Sequence, residues 1–493
     1  MTTYLGIDIG TSAVKVLLVD SHGDVLDSHS ESYGIDSPQP LWNEQNPDVW
    51  WQATVNSLKA LQAVNESAWR QVAAIGLSGQ MHGAVCLDDQ GQPLRPAILW
   101  NDGRAFQESA TLNRLCPNIG HTAGVPAMPG FTAPKLLWLH QHEPDVFRRI
   151  HKVILPKDYV RLKLTGTYCT DVSDAAGTVW LDEAKRDWDD DILQACHLTR
   201  VQMPTLIEGN GNSGTLLEDI ANQLGLSTQV CVAGGAGDAS AGGIGIGAIN
   251  EGDAFLSLGT SGQIFVAKEQ HIANPDAYIH AFAHALPNRW CHMACLLNGA
   301  SPLQWFSTIT STPIATLLEE AESQHNIHDS VYFLPYLTGE RTPHNNPFAT
   351  GSFEGITGQT QRSDMTQAIL EGIAFSFRDC LLALNSRHPS LTALGAIGGG
   401  AKSAFWLQIL ANVLNVPIHK YQGAETGPAM GAARLAILSH TQQDIESVCT
   451  PPPVEAIFLP DPDRHNIYVK KHVHFDRLYQ ALSPTYTYGH TNM

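Results

Sequence analysis

Two short turns carry the first chemical signal. Asp8-Ile9-Gly10-Thr11-Ser12 leads into an apolar run, and Ser257-Leu258-Gly259-Thr260-Ser261-Gly262 leads into Ile264, Phe265 and Val266. Glycine lets backbone N–H groups approach an anion closely, and hydroxyls add short hydrogen bonds to phosphate oxygens. Together the turns have the chemistry to grip one polyphosphate. A tight hairpin also uses glycine and tolerates threonine and serine, so either turn alone reads first as structure. Asp8 shifts the balance. A carboxylate ending a buried apolar strand is costly unless hydrogen bonds or a cation compensate, and Mg²⁺ bound with a nucleotide would do so. Ser257 stands in that place in the second turn, a pattern that fits a single Mg-nucleotide.

Asp238 is the second candidate acid. It follows an apolar run, Val230 to Ala233, and the stretch Gly234-Gly235-Ala236-Gly237, and it opens a run of small residues. That places it on a strand-to-helix elbow, either as a helix N-cap or as a base for a substrate hydroxyl. Gly242, Gly243 and Gly245 weaken the helix that follows, so a close approach of backbone or ligand is expected to reward them. A third elbow, Gly398-Gly399-Gly400-Ala401-Lys402-Ser403, lies between an apolar run and Phe405, Trp406, Ile409 and Leu410 at helical spacing. Strand, glycine elbow and helix suit a nucleotide, although the spacing of a P-loop is lacking. Gln80-Met81-His82-Gly83 places a histidine at a strand end, where it is usually a hydrogen-bonded structural residue; Gln80 beside it favours a polar ligand. Cys291, His292 and Cys295 invite a zinc reading, but no second ligand pair stands at suitable spacing, and His472 and His474 are expected to flank a helix stripe of Tyr468, Phe475 and Tyr479.

These residues need elements to hold them. Tyr4 to Ile9, the Val14 to Val19 run and Val25 onward predict an antiparallel three-strand meander. Asn46 and Pro47 mark a helix start, with Trp51, Val55, Leu58 and Leu61 on its core face. Strands alternating with helices suggest α/β layers. The repeat of the Gly-Thr-Ser turn about half a chain later suggests two domains on one plan, 1–247 and 248–493, meeting near Gly245 to Asn250. The last fifty residues read as a proline-rich connection at Pro451 to Pro453 followed by a terminal helix.

Composition narrows the function classes. With 493 residues, 43% hydrophobic and 16% charged, the chain has material for two large cores. Asp and Glu exceed Lys and Arg by 48 to 29, and a formal net charge of -19 opposes a nucleic-acid partner. The start reads as a strand and not as a signal peptide, and no apolar run is long enough to span a membrane. Nine cysteines without a CxxC pair argue for reduced thiols and a cytoplasmic protein.

The motifs together resemble the FGGY carbohydrate kinases. The resemblance rests on DIGTS at 8–12, GGAGD at 234–238, LSLGTSG at 256–262, GGGAKSAFW at 398–406 and GPAMGAARLA at 427–436, with MPGFTAPKLLWL at 128–139 and GSFEGITGQTQRSDMTQAILEG at 351–372 similar to family signatures. It runs in order from residue 4 to about residue 440. SGQMHG at 78–83, LWNDGR at 99–104, LPKDYVRLKLTG at 155–166 and PYLTGERTPHNNP at 335–347 are most similar to the xylulokinase branch. The resemblance implies two ribonuclease-H-like α/β domains of the actin, hexokinase and Hsp70 superfamily flanking an ATP and sugar cleft. It implies phosphorylation of D-xylulose at the expense of Mg-ATP, with Asp238 as catalytic base and Asp8 organising Mg²⁺. Met81 and His82 would contact the sugar, Gly10, Thr11, Ser12, Gly259, Thr260 and Ser261 the phosphates, and Gly399, Gly400 and Ala401 the adenosine. A homodimer is common among similar kinases. Ala239 departs from the asparagine expected after the base, which leaves the sugar preference open. Two other readings stand beside this one. A kinase for gluconate, ribulose or a polyol would need, for gluconate, a cation such as Arg104 in the cleft, although a surface or salt-bridged Arg104 is the plainer expectation. An ATP-driven binding module would use the same nucleotide cleft without the Gln80 to Gly83 loop acting on a sugar.

Overall fold

The computed structural model describes residues 2–328, 330–385, 391–423 and 426–486; residue 1 and residues 487–493, the outer ends of the two expected domains, lie outside the described residues. The opening pattern folds as its alternation requires. Thr3–Ile9, Ala13–Asp20 and Val25–Ser32 pair as an antiparallel meander, with Leu5, Ile7, Val14 and Val16 fully buried. Asn46 caps the helix Pro47–Val64 by accepting from the Asp48 amide at 3.0 Å. Val55, Leu58 and Leu61 of that helix are buried, but Trp50 and not Trp51 supplies its buried ring.

Two seven-stranded sheets follow one plan. In the first, strands run in the order Asn212–Thr215, Cys231–Ala233, Val72–Gly79, Thr3–Ile9, Ala13–Asp20, Val25–Ser32, with Ala236–Gly237 added beside Val72–Gly79. In the second the order is His280–Ala283, Trp290–Leu296, Gly262–Lys268, Ala254–Leu258, Leu394–Ile397, Ile418–Tyr421, Val454–Phe458. Both sheets share three antiparallel strands, then two parallel to the first of them, then an antiparallel strand at the edge, and the second sheet adds His280–Ala283 antiparallel to Trp290–Leu296 at its other edge. The short Gly-Thr-Ser echo therefore marks a duplicated architecture. The proline-rich connection differs from expectation: Pro453 runs directly into the strand Val454–Phe458, which pairs with Ile418–Tyr421, and only then comes the helix Pro462–Leu482.

The two halves are joined by an exchange of helices. The helix Gly427–Thr441, from the second half of the chain, packs on the first sheet, where a methyl group at Gly76 would lie 1.8 Å from the Ala432 carbonyl oxygen. The helix Asp238–Gly245, from the first half, packs towards Phe255 and Phe265 of the second sheet. Where these helices cross, a methyl group at Gly431 would sit 1.9 Å from the Ala241 oxygen, so the backbones touch. Close backbone approach explains Gly245, where a methyl group would lie 2.0 Å from the Gly427 carbonyl oxygen, whereas Gly243 faces the Phe265 ring and Gly242 has room for a methyl group. Among the described residues no helix is long and apolar enough to cross a membrane.

Candidate active site

Strand register brings the candidate acids together. Asp8 is opposite Ser78, and Ser78 is opposite Ala236, so three adjacent parallel strands end on one line. Asp8 is the last residue but one of the first strand, Gln80 to His82 continue from the second, and Asp238 follows the third. Ligands of open α/β sheets characteristically bind at such carboxyl ends. The second sheet repeats the device: Ser257 is opposite Ile397, so Gly259 and Gly399 follow neighbouring strand ends.

Asp238 is the first residue of its helix. Gly237 occupies the N-cap position and no side chain caps the helix, so the carboxylate is not spent on capping. One carboxyl oxygen accepts from the Ala239 amide at 2.8 Å. Burial and then the charge of Asp8 push Asp238 up to about 7. Asp8 is raised to about 6 by burial, opposed by the Ser78 hydroxyl, which donates to it at 3.0 Å, and by Lys15. Both side chains remain half-buried. Asp8 is a hard-oxygen donor of the kind Mg²⁺ takes, and a cation held there would offset the negative charge that raises Asp238.

Behind the Asp238 elbow lies a buried charged lattice. Lys157 lies 2.8 Å from Asp158, 2.8 Å from Asp171 and 3.0 Å from Asp174. Burial opposes its charge and the three carboxylates outweigh that, which holds its ammonium well above the ordinary range. Ser173 accepts from the Gly237 amide at 3.2 Å, and Arg161 donates to the carbonyls of Ala233 and Gly234. The LPKDYVRLKLTG stretch at 155–166 contains Lys157, Asp158 and Arg161, but sequence reasoning gave them no role because their partners are distant in the chain.

On the acceptor side, Met81 and His82 are each 7% exposed, and Met81 packs against Gly237, where a methyl would come within 2.8 Å of its Cγ. The Nδ1 of His82 lies 2.7 Å from the Gly177 carbonyl and must carry the proton that donates to it. Burial holds the ring well below its usual pKa, opposed by that carbonyl. A neutral His82 with Nδ1 protonated presents Nε2 as an acceptor for a hydroxyl. Phe131 stands edge-on to His82 with centroids 4.6 Å apart, and the Arg341 guanidinium lies 5.9 Å from the Phe131 ring. Arg341 belongs to PYLTGERTPHNNP, a stretch that carried resemblance without a residue role. Gln80 is turned away from the acceptor side: its amide donates to Gln45 at 3.1 Å, and so it braces the first turn.

Ser12 is exposed and Thr11 half-buried, with the Thr11 hydroxyl accepting from Trp100 at 2.9 Å. Tyr33 donates to the Gly10 carbonyl at 2.6 Å. In the second turn the carbonyls of Gly259 and Thr260 accept from the amides of Ala300 and Gly299 at 2.6 and 2.9 Å. A cavity of about 870 Å³ opens beside it, lined by Gly259, Thr260, Gly399 and Gly400 among the expected residues. Ala401 is buried and, like Ser261, does not line it. Phe405, read from the sequence only as a helix residue, lines it too; Ser301, Gln304, Leu318 and Glu322 also line it and were missed, since nothing local marks residues brought in by other helices.

Arg104 is buried in an ion pair with Asp102 at 2.7 Å and Glu44 at 2.7 Å and lies 3.7 Å over Trp42, so it is not a free cation for a sugar acid. Cys291 and Cys295 share one face of the strand Trp290–Leu296 and His292 takes the other, which keeps the three from converging. His472 does not flank the helix stripe but is buried within it, its Nε2 2.6 Å from Asp379. His474 is half exposed and meets Glu354.

A duplicated α/β fold with glycine elbows, two acids and a nucleotide-sized cavity defines a phosphotransferase of the sugar-kinase type. The N-terminal domain of the FGGY family of carbohydrate kinases matches residues 3–245 and its C-terminal domain residues 254–440, and the chain belongs to that family. It is 45% identical to the xylulose kinase of Escherichia coli over 483 residues, 98% of this chain and 99% of that protein. Its fold is similar to a crystal structure named as a "xyloylose kinase" from Brucella ovis, with TM-score 0.93, 43% identity and 98% and 100% of the two chains covered. It is also similar to a gluconate kinase from Lactobacillus acidophilus, with TM-score 0.91, 27% identity and 98% and 99% covered. The chain is a carbohydrate kinase acting on a small-molecule sugar, with ATP as the donor such kinases use.

Proposed function

We propose that this kinase phosphorylates D-xylulose on O5, giving D-xylulose 5-phosphate and ADP. The observation that carries the reading is the juxtaposition of Asp238, raised by Asp8, with Met81 and His82 on the neighbouring strand end. The xylulose kinases among its relatives, similar over nearly the whole chain, support the choice of sugar. Asp238 takes the O5 proton as that oxygen attacks the γ-phosphorus; the O5–P bond forms, the bond to the ADP oxygen breaks, and the proton stays on Asp238. His82 accepts a hydrogen bond from a sugar hydroxyl through Nε2. Asp8 would hold Mg²⁺, which when bound neutralises charge on the transferring phosphoryl group. The turns Gly10 to Ser12 and Gly259 to Ser261 cradle the phosphates, with Gly399 to Ala401 bordering the adenosine. Little more is asked of the protein, because phosphoryl transfer depends chiefly on alignment and charge stabilisation. We also propose that the chain divides into two domains, 1–247 and 248–493.

The test is ADP release from Mg-ATP with D-xylulose, gluconate, ribulose, glycerol or no sugar. D-xylulose is expected to give much the largest rate. Gluconate as the preferred acceptor would overturn the sugar assignment, and release independent of any sugar would favour an ATP-driven binding module.

A further inference from the structure

Lys135 is fully buried on the helix Thr132–His142, and the catalytic scheme leaves it without a task. An interior ammonium is costly unless a carboxylate pairs with it. The carboxylate whose charge acts on it, Asp102, is already bound by Arg104 through Nε and Nη2. Burial therefore pushes Lys135 down to about 7, with Asp102 resisting and Arg104 and Arg341 adding to the fall. A methionine would fill this space at less expense.

What Lys135 holds is the backbone of the sugar loop. Its Nζ donates to the His82 carbonyl at 2.9 Å, and Thr132, three residues earlier on the same helix, donates to the same oxygen at 3.0 Å. His82 itself has φ 69, in the left-handed region that residues other than glycine seldom occupy. The Gly177 carbonyl grips the ring of His82 from the other side. A strained residue persists only where its surroundings determine it from several directions, and three bonds do so here.

We propose that Lys135 and Thr132 are positioning residues for the sugar: their two bonds to the His82 carbonyl lock its backbone in the left-handed conformation that presents Nε2 to the acceptor. This rests on the reading of His82 as a sugar contact. It assigns a task to the lysine and threonine of MPGFTAPKLLWL without placing either against substrate.

Wild type, Lys135→Met and Thr132→Val are compared in D-xylulose KM, kcat, Mg-ATP KM, thermal midpoint and hydrogen exchange of the peptide covering residues 78–84. Lys135→Met is expected to raise the D-xylulose KM about tenfold or more, the worth of one charged hydrogen bond. Its kcat and Mg-ATP KM stay within about threefold of wild type. Exchange in 78–84 accelerates while the midpoint is held or rises, since an interior charge has gone. Thr132→Val shifts KM and exchange the same way by less. A wild-type sugar KM in Lys135→Met, or a fall in midpoint with both KM values rising together, overturns the proposal. Should Lys135→Met fail to fold, Thr132→Val decides: raised sugar KM with faster exchange upholds the clamp, and wild-type values for both overturn it. Failure of the sugar assignment is separable, because D-xylulose would then fail to stimulate the wild type; exchange in 78–84 would still uphold the clamp if accelerated and overturn it if unchanged.

Discussion

At Asp238, rotation of the carboxyl is fixed by one bond from the Ala239 amide. The same neighbourhood gives His82 a different part, since its tautomer is set by Gly177 and its ring is neutral. A hydroxyl contact kept in ground and transition states is uniform binding, so His82→Ala should raise the sugar KM and leave kcat within about threefold. Steady-state kinetics over a range of sugar concentrations checks this, and an unchanged KM would return His82 to a structural role. Glu340 offers a test by pH. Its carboxyl accepts from the amides of Leu297 and Arg341 at 2.9 and 2.7 Å, and burial pushes it up to about 8 against those bonds. The folded chain then holds a proton that the unfolded chain releases from about 4.5 upward, so stability falls as pH rises across that window and levels off above about 8. Glu340→Gln keeps the accepting oxygen and should melt with a flatter pH dependence between about 5 and about 8. Identical slopes for variant and wild type would refute the assignment.

At the scale of elements, the turns and elbows were legible because glycine, threonine, serine and aspartate announce themselves over five or six residues. The meander at Tyr4 to Val25, the N-cap at Asn46 and the elbows at 234–238 and 398–403 all fold from local pattern. Register was not legible. Nothing in the strand Val72–Gly79 says that it separates Asp8 from Ala236, yet that pairing assembles the site. Nor does local pattern reveal that Lys157 and Arg161 hold an elbow some seventy residues on, or that Val454–Phe458 pairs as an edge strand. The crossing of Asp238–Gly245 and Gly427–Thr441 gives this scale its prediction. A methyl at Gly431 would overlap the Ala241 carbonyl oxygen at 1.9 Å, and two packed backbones have little room to yield. Gly431→Ala should therefore destabilise the protein by about 1–3 kcal/mol or more in denaturant titration. A wild-type midpoint would show that the helices separate freely.

For the whole molecule, the proposed acceptor loop and base belong to the first sheet while the cavity proposed for the nucleotide belongs to the second. Transfer requires the two to approach; the pair of exchanged helices joins them, and so do the backbone bonds from the Ala281 amide to the Gly124 carbonyl and from the Gly209 amide to the Ala285 carbonyl. We expect sugar with a non-hydrolysable nucleotide to bring the lobes together, lowering the radius of gyration in solution scattering, as closure commonly excludes water from phosphoryl transfer. Scattering profiles unchanged by both ligands would count against closure. The most direct test follows D-xylulose and Mg-ATP by phosphorus and carbon NMR with equal amounts of wild type and Asp238→Asn. The wild type should yield one sugar phosphate, coupled to C5, with stoichiometric ADP. The variant should form it about 10²–10⁴-fold more slowly while binding nucleotide as before. Near-wild-type turnover in Asp238→Asn, or phosphate on another carbon, would contradict the account.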